Sequence, residues 1–165
     1  MNTEEDQEEW HLPPIGFLTD LEDEPRERLA SAGQFITRPL DTVLSIQGRQ
    51  HHAMALILAG RVSINVHAHG DRIQLAMLER GDVVGEMSVI DPRVASSTAR
   101  VVSGPAHLWI IERTAFDQFI ADDTESGLIL LKSLGKVLCK RVRTDSELML
   151  RKAEEMRAHF LDIDY

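Results

Sequence analysis

The sequence predicts a mainly β chain with flanking α-helices, folded as an antiparallel β jelly-roll (double-stranded β-helix) with an N-terminal helix and C-terminal helices. Three observations carry that expectation. Apolar and polar residues alternate through the middle of the chain, with Val62, Ile64 and Val66 set against Ser63, Asn65 and His67, and again at Ile73, Leu75 and Met77; a period of two is that of a half-buried strand. Glycines at positions 48, 60, 70 and 81 punctuate this region at intervals of ten to twelve residues, as short strands joined by tight turns require. On both sides the apolar period lengthens to that of a helix. No strand pattern alternates with a long helical one, so a doubly wound parallel sheet is disfavoured.

The elements follow in order. Met1 to Glu9 carries five acidic residues and no basic one, and residues 1–16 read as a solvated, disordered tail. The jelly-roll domain is expected over 17–126. It opens with a helical pattern from Phe17 to Phe35, where Asp23 or Glu24 can start the helix, Pro25 suits its first turn, and Leu29, Ala30 and Gly33 share a face. Strand periodicity then runs from Pro39 to about Ile111. Thr114 is placed to cap a short helix containing Phe116, Phe119 and Ile120, and Asp122-Asp123-Thr124 opens a longer one.

The closing helix, expected over 127–160, carries Leu131, Leu134, Leu138 and Val142 on one face and Lys132, Lys136 and Lys140 on another. Its stripe breaks at Thr144-Asp145-Ser146-Glu147 and resumes at Leu148. A stripe this long exceeds what one small barrel can cover. A homodimer through Leu128 to Leu150 is therefore expected.

Composition bounds the function. With 165 residues, 43% hydrophobic and 27% charged, the chain suits one soluble domain with a proper core. It contains no apolar run of membrane-spanning length and opens with no secretory pattern. The single Cys139 precludes an internal disulfide, and a reducing cytoplasm is the expected compartment. A net charge of −9 leaves little basic surface to neutralise a phosphate backbone, so direct DNA binding is not expected.

The chemistry concentrates in Gly81-Asp82-Val83-Val84-Gly85-Glu86-Met87-Ser88. Gly85 permits a positive φ and close backbone approach. Free N–H groups after such a glycine can form an anion-binding nest. Glu86 beside that nest would repel a phosphate but accept hydrogen bonds from hydroxyls such as those of a ribose.

The chain resembles the cyclic nucleotide-binding domain family, which includes bacterial catabolite activators and the regulatory subunits of protein kinase A. The resemblance runs from about Leu18 to Glu147. It rests on FLTDLEDEPRERLASAGQF, similar to the family's first helix, and on VLSIQG and ALILAGRVSINV, with Gly60 in a hairpin turn. LERGDVVGEMSVID is similar to the start of the phosphate-binding cassette, and HLWIIERTAFDQFI to the strand and short helix that leave the roll. The resemblance implies a ligand, cAMP or cGMP, lying against Gly85, Glu86, Met87 and Ser88, with a C-terminal helix closing over it. It implies no cofactor.

The resemblance departs from the family at the phosphate. The family places an arginine about ten residues beyond the glutamate, and here that position is Ser96, followed by Ser97. Pro92-Arg93-Val94-Ala95 looks like the family's arginine segment but comes three residues early. Three arrangements follow: Arg93 substitutes, Arg100 substitutes, or no arginine meets the phosphate. The register favours the last. Losing one buried charge-assisted hydrogen bond weakens binding by roughly 1.5–3 kcal/mol, or about one to two decades. On the closing helix, aligning Lys140-Arg141-Val142 with the family's basic-apolar run sets Asp145 and Ser146 where bacterial activators touch the base.

The resulting expectation is a non-enzymatic sensor domain that binds a cyclic nucleotide or related anion weakly and signals through its C-terminal helix to an unidentified protein partner. About eighteen residues follow Glu147, too few for a winged helix. The alternatives are a vestigial-pocket interaction module that binds no nucleotide, and a cupin-like metal enzyme using His51-His52 and His67-x-His69. In the latter, the nearest carboxylates, Asp71 and Glu79, fit a metal site poorly.

Overall fold

The computed structural model describes residues 11–68 and 70–161; residues 1–10 and His69, which belong to the expected tail and the histidine pair, lie outside the described residues. A 3-10 turn, Gly16–Leu18, leads into α1 (Asp23–Ala32). The roll consists of β1 (Gln34–Arg38), β2 (Val43–Ser45), β3 (Ala53–Ala68), β4 (Asp71–Leu78), β5 (Val83–Val84) and β6 (Thr98–Glu112). A short helix, α2 (Glu86–Ile90), interrupts it between β5 and β6, and α3 (Arg113–Asp122) and α4 (Thr124–Leu161) follow. The fold is the expected one, a six-stranded antiparallel sheet flanked by an N-terminal helix and C-terminal helices.

The long strands β3 and β6 pair along most of their length and exchange outer partners part-way. The first half of β3 pairs β5 and its second half pairs β4, while β6 pairs first β2 and then β1. Register shifts between Ile57 and Val62 bend the ladder where the partners change. Extra residues on one strand of a pair kink and twist it, which is how a sheet turns into a roll. Gly60 belongs to this bend inside β3, not to a hairpin turn as the sequence suggests. With φ at 88°, a Cβ there would stand 2.8 Å from Ala106 Cα. Only glycine lets the two strands approach so closely.

Alternation along β3 builds two cores. Met54, Leu56 and Leu58 join Trp109, Ile111, Phe116, Leu29, Leu130 and Leu134 beneath the helices. Ala55, Ile57 and Val62 join Val84, Ala99, Val101 and Leu108 inside the roll. A strand buried on both faces reads as a continuous apolar run, as Met54–Leu58 does.

Three boundaries differ from the sequence reading. Leu12 is buried in the core beneath the helices, and its carbonyl accepts from Arg26 Nε at 2.7 Å, so the ordered chain begins before residue 17. Helix α3 starts at Arg113 rather than at a Thr114 cap, its first amide held by the His52 carbonyl at 2.7 Å. Helix α4 starts at Thr124, at the Asp122-Asp123-Thr124 signal and three residues before the expected 127, because Asp123 Oδ1 accepts from the Ser126 amide at 3.0 Å as an N-cap does. It then runs unbroken through Thr144–Glu147, whose residues are exposed.

The face of α4 turned to the body is also rotated from the expected one. Leu130 and Leu134 are fully buried and Val137 packs beside them, whereas Leu131 and Val142 are exposed. Replacing Leu130 with alanine should therefore cost roughly 2–5 kcal/mol in urea unfolding. Lys132→Ala should change it by no more than about 0.5 kcal/mol. Equal effects would place the helix in the wrong rotation.

Candidate ligand-binding site

β5 is only two residues long, yet it fixes the site. Val83 and Val84 pair with Leu56 and Ala55 of β3, Val83 facing the helices and Val84 the inside of the roll. Gly85 then turns the chain with φ at 81°. A Cβ there would lie 2.5 Å from the Ala53 carbonyl oxygen and 3.0 Å from His51 Nε2. Conformation and space both demand glycine. Helix α2 begins at the next residue, so Glu86 and Ser88 are buried while Met87 is exposed.

Beside α2 is a cavity of about 230 Å³, lined by Gly85, Glu86, Met87, Ser88, Arg93, Ser96 and Ser97 together with His51 and Arg141. All seven residues that the sequence assigned to the roll's side of the site therefore border one space. Asp145 and Ser146 do not. Both are exposed on α4 one turn past the cavity, and the Ser146 hydroxyl donates to its own helix at Val142 O, 2.8 Å away. A hydroxyl can satisfy itself this way on any helix.

The charges are arranged differently from the sequence reading. Glu86 is not left free for a ligand: its side chain is only 3% exposed and accepts a hydrogen bond from Arg141 Nη1. Arg141 Nη2 donates to the Val83 carbonyl. A carboxylate removed from water needs such a partner. Arg93 borders the cavity, but its guanidinium is turned to solvent, 79% exposed and paired with Asp91 at 2.9 Å.

The loop carrying Arg93 is held by backbone bonds from Gly48 N to Ala95 O and from Ala95 N to Arg49 O, both 2.8 Å. These fix its course. Arg100 donates to the Asp41 carbonyl at 2.9 Å and is absent from the cavity lining. His51 is half-buried, and burial lowers its pKa, favouring the neutral ring. Arg141 is thus the cation that reaches inward, a fourth arrangement beside the three the sequence left open.

A sequence signal for Arg141 did exist. Leu130, Leu134, Val137 and Arg141 follow steps of four, three and four, the spacing of one helical face. An arginine continuing a buried stripe is out of place unless an acid awaits it.

The model of the family described as "Cyclic nucleotide-binding domain" matches residues 38–123, over half of the chain. The chain belongs to the cyclic nucleotide-binding domain family. Among solved structures it is similar to a cyclic nucleotide-binding domain from Methylobacillus flagellatus, with 27% identity and a TM-score of 0.77 over 84% of this chain and 78% of that one. It is also similar to the Thermus thermophilus catabolite activator protein, with 26% identity and a TM-score of 0.71 over 83% of this chain and 63% of that one. The c-di-GMP responsive global regulator CLP from Xanthomonas campestris shares the fold at 20% identity and a TM-score of 0.72, over 80% of this chain and 65% of that one. No curated protein matches the chain significantly.

Family membership makes this a regulatory type of domain. No group of three or more His, Cys, Asp or Glu among the described residues is arranged to hold a metal, and no described helix is long and apolar enough to cross a membrane.

Gly85 combines a left-handed φ with a close backbone neighbour. Gly85→Ala should lower the unfolding free energy by roughly 1–3 kcal/mol, the cost of a left-handed non-glycine residue. Urea denaturation followed by tryptophan fluorescence would measure it. Unchanged stability would mean that the turn can take another conformation.

Proposed function

We propose that this domain is a non-enzymatic sensor that binds a cyclic nucleotide, cAMP or cGMP, in the cavity beside α2 and signals through α4. The observation that carries the reading is that one cavity is bordered by both the Gly85–Ser88 turn and Arg141 of α4. Glu86 supplies an acceptor for ribose hydroxyls at the edge of that cavity. A ligand here touches the roll and the closing helix together.

The size of the cavity supports a moving helix. At about 230 Å³ it is smaller than the roughly 300–1,000 Å³ of typical small-molecule sites. Admitting a nucleotide requires a wall to shift. The α2 wall is tied to β3 through β5, whereas α4 is exposed from Val142 to Arg157. The ligand's preference for the shifted helix sets the strength of the signal. Binding is weak because Ser96 offers only a hydroxyl and because opening the site costs free energy.

Calorimetric titration with cAMP, cGMP and a cyclic dinucleotide tests this directly. One cyclic mononucleotide should give saturable heat, weaker than in family members that carry the cassette arginine. No heat with any of them would favour the second reading, an interaction module whose pocket is closed by the Glu86–Arg141 pair.

The second half of α4 points to assembly. Leu128, Leu131, Val142, Met149 and Met156 are exposed, and with position 138 they fall on an alternating three- and four-residue spacing broken at Gly135, Asp145 and Lys152. That is the seam of a two-stranded coiled coil. It is separate from the stripe of Leu130, Leu134 and Val137 that packs on the body. A homodimer through α4 accounts for both faces. Sedimentation at tens of micromolar should show a dimer that Met149→Glu converts to monomer; a wild-type monomer would refute it.

A further inference from the structure

An anion entering the cavity must find a positive partner there. Arg93 is engaged by Asp91 and turned outward, and the half-burial of His51 disfavours its charged form. Arg141 remains, its side chain 34% exposed and its guanidinium directed at Glu86 and the Val83 carbonyl. A guanidinium has five N–H donors in a planar fork, and these two bonds use two of them. We infer that Arg141, carried by α4, is the residue that receives the ligand's anionic group, and that Glu86 serves as its counter-ion until the ligand arrives. This rests on the cyclic-nucleotide reading and assigns that site's missing cation.

The arrangement has an electrostatic logic. In the empty protein two pairs, Glu86–Arg141 and Asp91–Arg93, leave the cavity close to neutral. A cyclic phosphate brings one negative charge. Arg141 can donate to it while Glu86 accepts from a hydroxyl, so the acid and the base divide the two halves of a sugar phosphate between them. Without Arg141 the same phosphate would face the Glu86 carboxylate with no inward cation. The bidentate fork also makes lysine an incomplete substitute.

The position of Arg141 links ligand charge to helix position. It lies on the face of α4 that Leu130, Leu134 and Val137 pack against the body, beyond the last of these contacts. Any displacement of its guanidinium toward a phosphate is taken up where α4 leaves the body. A cation on the α2–β6 loop would have no such lever.

The test uses the full-length chain labelled with ¹⁵N. The Arg141 Nε–H resonance, assigned by its loss in Arg141→Lys, is followed while inorganic phosphate, cAMP and cGMP are added separately. The resonance should move saturably with phosphate and with the nucleotide that binds. Calorimetry should show Arg141→Gln at least tenfold weaker for that nucleotide, Arg141→Lys intermediate, and Arg93→Gln within twofold of wild type. Because the resonance is read on the wild-type protein, a variant that fails to fold does not prevent a decision. An Arg141 resonance unmoved by all three, or equal affinity in a folded Arg141→Gln, overturns the inference. Movement with phosphate but with neither nucleotide preserves the role of Arg141 and sinks the cyclic-nucleotide reading instead.

Discussion

β3, sixteen residues long, and β6, fifteen, run antiparallel as the spine of the roll, and the other elements take their places from this ladder. Each strand is buried on one side by the helices and on the other by the interior of the roll. Backbone donors and acceptors buried this way must be paired, and the two strands pair mainly with each other. The bend at Gly60 then decides where the sheet folds over. β5 adds to β3 on one side of that bend and β4 on the other, so the cassette begins next to Ala53–Leu56.

The site follows from that attachment. Two paired valines bring the chain to Gly85 with no slack, and the left-handed turn points Glu86 into a space closed by the α2–β6 loop and α4. Burial of the carboxylate obliges a cation to come to it, and the packed stripe of α4 delivers Arg141. The same contact that satisfies the acid therefore draws α4 to the pocket's edge. In this family member, the buried acid and the position of α4 depend on one ion pair.

The chain's own sequence determined a great deal. Period-two alternation and evenly spaced glycines are local properties, written in neighbouring residues, and they correctly specified the roll and its flanking helices. The Gly85-Glu86 turn was legible for the same reason: a positive φ is a property of one residue. Tertiary structure decided the rest. Helical periodicity shows that α4 has an apolar stripe but not which rotation faces the body, because two stripes of similar strength run along it and only the shape of α3 and the 3-10 turn selects between them. Whether Arg93 enters the cavity depended on backbone bonds from its loop to Gly48 and Arg49, which no count of residues from Glu86 contains. The pairing of Glu86 with Arg141 joins positions 55 residues apart. Such a pair forms only once burial has made an isolated carboxylate too costly, and burial is decided by the folded chain as a whole.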